Sequence, residues 1–441
     1  MGYKFKKQSS FFSYYVALAL KFVKLGNLDM VTIVDQCRLC GSEKLALIFE
    51  LKNQSLTGVF PETRETSVTA GNVGLVKCVG NQNCGLVQLR ESYDISEMYG
   101  ANYGYRTGLN PSMTKHIESK IIRILDKYTP TTGGLIIDIG SNDATALKKY
   151  PQDTYELVGV DPTGSKFIEY YPDTIKLIPD FFSFDVLQSR LGSKKAKVIT
   201  SFSMFYDLED PVAFASDIEK TLDDEGVWVF EQSYLPSMIE TNSFDTICHE
   251  HLEFYALKQI MLIARKAGLK VLDVELNDIN GGSFSITAAK KDSNHRVNER
   301  VISSMLEKEV AMGLDGTDVF TSFFERVEIQ KHKFIKFLED AKKEGKEVYG
   351  LGASTKGNVL LQYYGIDENL LPAIGDVNED KFGKFTPGSL IPIISEADVL
   401  KRKPDYLVVL PWHFRDFFLS NPKMAGRTLV FPLPELTIVE L

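Results

Sequence analysis

From about Ile117 to Lys290, short apolar runs alternate with segments long enough for helices. The runs Gly134–Asp138, Leu157–Asp161, Lys197–Thr200 and Val227–Phe230 predict buried strands of a parallel sheet with crossover helices. Lys270–Glu275 and Ser283–Ala288 flank Asn280-Gly281-Gly282 and predict two strands joined by a turn, the antiparallel edge of that sheet. Beyond them the strand signal stops. Phe320, Phe323, Phe324, Val327, Phe334, Phe337 and Leu338 recur at helical spacing, which predicts a core-facing linker helix. A second alternating unit follows, with strands over Glu347–Gly352, Leu371–Asp376 and Asp405–Leu410. Residues 30–90 show little regular periodicity and predict a small, loop-rich module.

The pattern divides the chain into an N-terminal extension (1–29), a cysteine-bearing module (30–90), a first α/β unit (91–298), linker helices (299–343) and a second α/β unit (344–441). A length of 441 residues agrees, since one domain holds roughly 100–200. Fifty basic residues against fifty-nine acidic ones leave a net charge of -9, the wrong sign for affinity to a nucleic-acid backbone. No apolar run reaches the ~18–20 residues that span a bilayer, so stable membrane insertion is not expected. Phe11–Leu20 after Lys4, Lys6 and Lys7 imitates a signal peptide but lacks a small-residue cleavage site. With Met30 as a second start, residues 1–29 read as an upstream extension or a peripheral amphipathic helix. Five cysteines are too few for a disulfide scaffold and point to a reducing, cytoplasmic setting. A monomer or homodimer is expected.

Cys37, Cys40, Cys78 and Cys84 form two pairs, each followed by a glycine, Gly41 and Gly85. Four soft ligands suit zinc, and a closed four-thiolate set makes the ion structural. Asp138-Ile-Gly-Ser-Asn-Asp143 follows the first strand of the central unit, where a glycine turn lets a ligand approach the carboxyl edge of a parallel sheet. Ala144 stands where a second glycine would complete a dinucleotide fingerprint. Asp161 ends the second strand, placed for ribose hydroxyls, and Asp180 with Phe181 and Phe182 adds an acid and an aromatic surface for adenine. That spacing fits S-adenosylmethionine better than a nicotinamide. Asp245-Thr-Ile-Cys-His-Glu-His251 is the densest titratable cluster, offering a base near neutral pH and a group to orient it. The other histidines, His116, His295, His332 and His413, lack such company and read as structural. Gly350-Leu-Gly-Ala-Ser-Thr-Lys-Gly357 can hold a phosphate at a helix N-terminus or serve as a plain strand-to-helix turn. With Asp376 it also leaves an NAD-dependent activity open.

Taken in order, these motifs, together with Tyr99-Gly-Ala-Asn-Tyr-Gly-Tyr-Arg106, Asn110, His116 and Gly352–Asn358, resemble the nucleotide-sugar C-methyltransferases of deoxysugar pathways. The resemblance covers nearly everything after Met30. It implies a zinc-binding module over 30–90, a class I S-adenosylmethionine-dependent domain over 91–298 and a Rossmann-like substrate-binding domain over 344–441. The implied reaction moves a methyl group to C3 of a nucleotide-linked 4-keto-6-deoxyhexose. By resemblance His251 is the base, Glu250 orients it or holds a sugar hydroxyl, and His249, Tyr103 and Tyr105 complete the catalytic group. Asp138, Gly140, Asn142, Asp143, Asp161, Asp180 and Phe181 hold the cofactor. Arg106, Asn110, Ser354, Thr355, Lys356 and Asn358 face the substrate. Two positions depart from the pattern: Cys248 replaces a tyrosine before His-Glu-His, and Ser203–Glu209 lacks a histidine often found there. They motivate methylation of a sugar hydroxyl as one alternative, and Ala144 with Cys248 motivates a second, a non-catalytic binding protein.

Overall fold

A computed structural model describes residues 31–80, 82–98 and 106–441. The N-terminal extension and Tyr99–Tyr105, including Tyr103 and Tyr105, lie outside the described residues.

The central sheet has seven strands in the order Leu269–Asn277, Ser283–Lys290, Leu222–Ser233, Ala196–Phe202, Leu135–Ile139, Glu156–Val160 and Ile175–Ile178. The last five of that order run parallel, and Ser283–Lys290 lies antiparallel between Leu222–Ser233 and Leu269–Asn277. Leu135–Ile139 is buried throughout, which is why its sequence reads as one apolar run. Chain order reverses at this strand, with Glu156–Val160 on one side and Ala196–Phe202 on the other. The reversal opens a crevice at the carboxyl edge, where open α/β sheets bind ligands.

The second sheet has six strands, ordered Ile393–Ser395, Ile374–Asp376, Val348–Leu351, Tyr406–Val409, Thr428–Phe431 and Thr437–Glu440, with only the last antiparallel. It too reverses at its first strand, Val348–Leu351. Between the sheets run helices Glu299–Ala311 and Asp318–Lys343. The predicted stripe is the buried face of the longer helix, whose Phe324 stacks on Phe49 at 3.6 Å. Arg326 of that helix donates to Asn242 Oδ1 and Ile239 O at 2.9 and 2.7 Å.

The cysteine module corrects the loop-rich expectation. Leu45–Ser55, Ala70–Cys78 and Val87–Leu89 form an antiparallel sheet. Register shifts at Leu47/Phe49 and Leu51/Gln54, with Asn53 at φ 50, break the two-residue alternation and hide the longest strand from sequence. Its fourth strand is Glu253–Phe254, which the central unit donates two residues after His251.

Candidate active site

The cysteine site is assembled by the ends of that sheet. The Sγ atoms of Cys37, Cys40, Cys78 and Cys84 all lie within 4.8 Å of one another, with Cys37–Cys84 at 3.4 Å and Cys40–Cys78 at 3.6 Å. A tetrahedral zinc–thiolate site with ~2.3 Å bonds needs sulfur–sulfur edges of about 3.8 Å, so the donor set and its spacing fit the ion. Gly41 and Gly85 turn at φ 72 and 75, and the Gly41 amide donates to Cys37 O at 2.8 Å.

At the carboxyl edge of the central sheet, Gly140 sits at φ 71, and a Cβ there would lie 3.3 Å from Met204 Cγ. Asn142 and Ala144 follow at φ 48 and 60. Ala144 therefore keeps the left-handed backbone of a glycine, at a cost of roughly 1–2 kcal/mol. Asp161 closes the turn, accepting from Asn142 N at 2.8 Å and from Thr163 N at 2.7 Å. Burial pushes the Asp138 carboxyl up to about 7, against the pull of the Thr200 hydroxyl at 2.5 Å. Phe181 is a 53% exposed aromatic on the same edge, and Asp180 accepts from its amide at 2.8 Å. A cradle lacking a side chain and an uncovered ring fit an adenosine-containing cofactor. Arg106 lies over the Tyr170 ring at 4.3 Å and 4.0 Å from Asp143, while Thr107 N and Gly108 N donate to Asn142 and Asp143. Asn110 caps helix Pro111–Tyr128 by accepting from Ser112 N and Met113 N. His116 on that helix pairs with Glu231 at 2.5 Å, and Lys120 joins at 3.2 Å. Glu231 escaped the sequence reading, although an acid ending an apolar run was a visible signal.

The His-Glu-His segment lies where the module and both sheets meet. His249 is fully buried, bonded through Nε2 to Gln54 O at 3.1 Å and edge-on to Tyr93. Burial drives its imidazole down to about 4. Glu250 accepts from the Thr57 hydroxyl at 3.3 Å and bonds the Cys248 thiol, and burial raises its carboxyl. His251 packs against Tyr206, and its Nδ1 bonds Thr246 O at 2.8 Å. A carbonyl only accepts, so Nδ1 carries the proton and Nε2 keeps a basic lone pair. Burial, reinforced by the Lys356 charge, lowers this imidazole to about 4, leaving it neutral at pH 7.

Lys356 comes from the helix Thr355–Tyr364, which follows the C-terminal strand Val348–Leu351. Its ammonium bonds Asn280 O, and burial lowers its pKa against the pull of Asp245. Asp245 is fully buried, accepting from Trp412 Nε1 at 2.8 Å and Ser243 Oγ at 3.0 Å. Burial and the same ammonium hold His413 well below the usual histidine range. The Lys356 charge thus acts on Asp245, His251 and His413 alike. Trp412-His413 follows a parallel strand, a carboxyl-edge position that could have marked both residues. Two of the other predicted substrate residues, Ser354 and Asn358, are bonded within the fold. Ser354 caps helix Thr355–Tyr364 by accepting from Gly357 N at 3.0 Å, and Asn358 donates to Thr57 O at 2.8 Å.

Three family models match successive stretches of the chain: "Putative zinc binding domain" over 37–99, "Methyltransferase domain" over 113–274 and "C-methyltransferase C-terminal domain" over 278–434. The C-methyltransferase NovU of Streptomyces niveus is 27% identical over 419 residues, covering 93% of this chain and 98% of that one. The three matches and this relative fit the C-methyltransferase family. The matched domains and the four-cysteine cluster make it an S-adenosylmethionine-dependent methyltransferase with a zinc-binding module. Among solved structures, magnesium protoporphyrin IX methyltransferase of Synechocystis PCC 6803 is 12% identical, with a TM-score of 0.31 over 41% of this chain and 88% of that one. The CcbJ methyltransferase of Streptomyces caelestis is 12% identical, with a TM-score of 0.31 over 40% and 90%. No helix among the described residues is long and apolar enough to cross a membrane.

Proposed function

We propose that the protein methylates C3 of a nucleotide-linked 4-keto-6-deoxyhexose, with His251 as the base. The observation that carries this reading is the His251 ring, fixed by Thr246 O so that its basic Nε2 is free, beside the Lys356 cation. A C–H bond next to a ketone is acidic because its electron pair moves onto the ketone oxygen when the proton leaves. His251 takes that proton, and Lys356 stabilises the charge that develops on oxygen. Bound S-adenosylmethionine supplies the electrophilic methyl group. Gly140, Asn142 and Asp161 hold the cofactor, with Phe181 against its adenine. Glu250, linked to Thr57 and Cys248, orients a sugar hydroxyl. The substrate's nucleotide lies toward Ser354 and Thr355 at the start of their helix.

The test is an assay of the zinc-loaded protein with S-adenosylmethionine and a panel of nucleotide-linked 4-keto-6-deoxyhexoses, with NMR locating the new methyl group. Attachment to carbon is the expected result. Attachment to oxygen would transfer the reading to hydroxyl methylation.

Two further outcomes are expected. Asp161→Ala should weaken S-adenosylmethionine binding about ten- to a hundredfold in calorimetric titration, the effect of losing hydrogen bonds to a charged acceptor. Unchanged affinity would remove Asp161 from the cofactor site. Lys356→Met should move the acid limb of the pH profile of kcat/KM to higher pH. The base works unprotonated, so activity is lost as pH falls through its pKa; without the neighbouring cation that pKa rises. An unmoved limb would contradict the assignment of Lys356 to the His251 site.

A further inference from the structure

One buried guanidinium joins the zinc loop to the segment that bears His251. Arg38 stands between Cys37 and Cys40, and its side chain is 3% exposed. Its Nη1 donates to Leu89 O at 2.7 Å and its Nη2 to Ser92 Oγ at 2.6 Å, while its amide donates to Gln88 Oε1 at 2.9 Å. These bonds fix it to the module's own strands. Its Nε faces two acids of the central unit, Glu209 at 3.0 Å and Glu253 at 3.7 Å. Glu253 has no exposed side-chain surface, and neither of its carboxylate oxygens has a hydrogen-bond partner. Burial pushes its carboxyl well above the usual carboxylate range, and the Arg38 guanidinium is the neighbour that opposes this. Glu253 lies two residues beyond His251 in the strand that pairs Glu253 with Gln88 and Phe254 with Val87. Both residues line one small cavity, together with Tyr206, Ser233 and Thr246.

We infer that Arg38 is a positioning residue: through Glu253 it fixes the segment carrying His251, so that the metal-held loop sets where the base stands. The inference rests on His251 being the base. Arg38 is bonded to Leu89 and Ser92 on one side and faces Glu253 on the other, so its loss removes the attraction that holds Glu253 and its strand beside Val87–Leu89. A displacement of that kind moves the base, and an error of about 1 Å can cost on the order of a hundredfold in rate.

The test uses the full-length, zinc-loaded protein and the variants Arg38→Met, Glu253→Gln and their combination. Zinc content and S-adenosylmethionine affinity of Arg38→Met should match the parent. Amide exchange over Leu252–Phe254 should accelerate about tenfold or more, as a locally opened strand requires. With the nucleotide-sugar substrate, kcat should fall while KM holds. Adding Glu253→Gln should restore protection and rate, because a neutral amide needs no cation. If Arg38→Met is insoluble, recovery of soluble protein in the double variant gives the same support, and its failure to recover overturns the inference. Parent-like exchange over Leu252–Phe254 in Arg38→Met also overturns it. Exchange is read without substrate, so this result is separable from any failure of the His251 reading.

Discussion

Replacing His251 with asparagine should lower turnover by roughly 10²–10⁴-fold, the contribution of a positioned proton acceptor. S-adenosylmethionine affinity should stay at the parent value. Asparagine is the informative change because its side-chain amide can still donate to Thr246 O, the bond that fixes the imidazole through Nδ1. What disappears is the lone pair of Nε2. The cofactor cradle around Gly140 and Asp161 is carried by other strands of the sheet, so calorimetric binding should not register the change. Parent-like turnover would remove His251 as the base. Loss of cofactor affinity would show instead that the segment holds the cradle.

The second large effect is on the metal. Cys78→Ser should abolish zinc binding and leave protein that is poorly soluble and has a markedly lower thermal transition. Structural zinc binds zinc-finger peptides with ~10–16 kcal/mol at neutral pH, and in such sites that energy is folding energy. Cys78 ends the strand Ala70–Cys78, which pairs with Val87–Leu89. Val87–Leu89 in turn receives Glu253–Phe254 from the central unit. Disorder at the metal is therefore expected to spread to the His251 segment, a loss visible as hydrogen exchange at Leu252–Phe254. Zinc content by elemental analysis and a melting curve check the first part. A soluble, zinc-free variant melting like the parent would overturn the structural role.

Sequence revealed the two parallel sheets because their central strands are buried on both faces. Leu135–Ile139 and Val348–Leu351 need no alternation and show as plain apolar runs. The strands Ile393–Ser395 and Thr428–Phe431 are not predicted; both are short and each abuts a proline, Pro392 and Pro432, which reads as an interruption. The cysteine module's sheet was hidden for a different reason, since its bulges invert the facing of side chains partway along Leu45–Ser55.

The candidate site divides in the same way. Zinc ligands were readable because two thiol pairs are a chemical signature that needs no register. The His-Glu-His cluster was readable as chemistry, but the partition of labour within it was not. His249 is engaged by Gln54 O and Glu250 by Thr57, both far away in sequence. Lys356 illustrates the limit best. Beside glycines and hydroxyls it reads as a phosphate ligand, yet the fold carries its ammonium to Asn280 O, next to Asp245 and His251. Trp412 contributes to the site only because the edges of two sheets meet there.

The central claim is proton removal from carbon, and solvent isotope exchange tests it most directly. The zinc-loaded protein is incubated in heavy water with a nucleotide-linked 4-keto-6-deoxyhexose and no S-adenosylmethionine, and the sugar is followed by NMR and mass. The account predicts deuterium at C3 with the parent protein and none with the His251→Asn variant. Parent protein that methylates the same sugar while leaving C3 without deuterium, and that places its methyl group on oxygen, would contradict it.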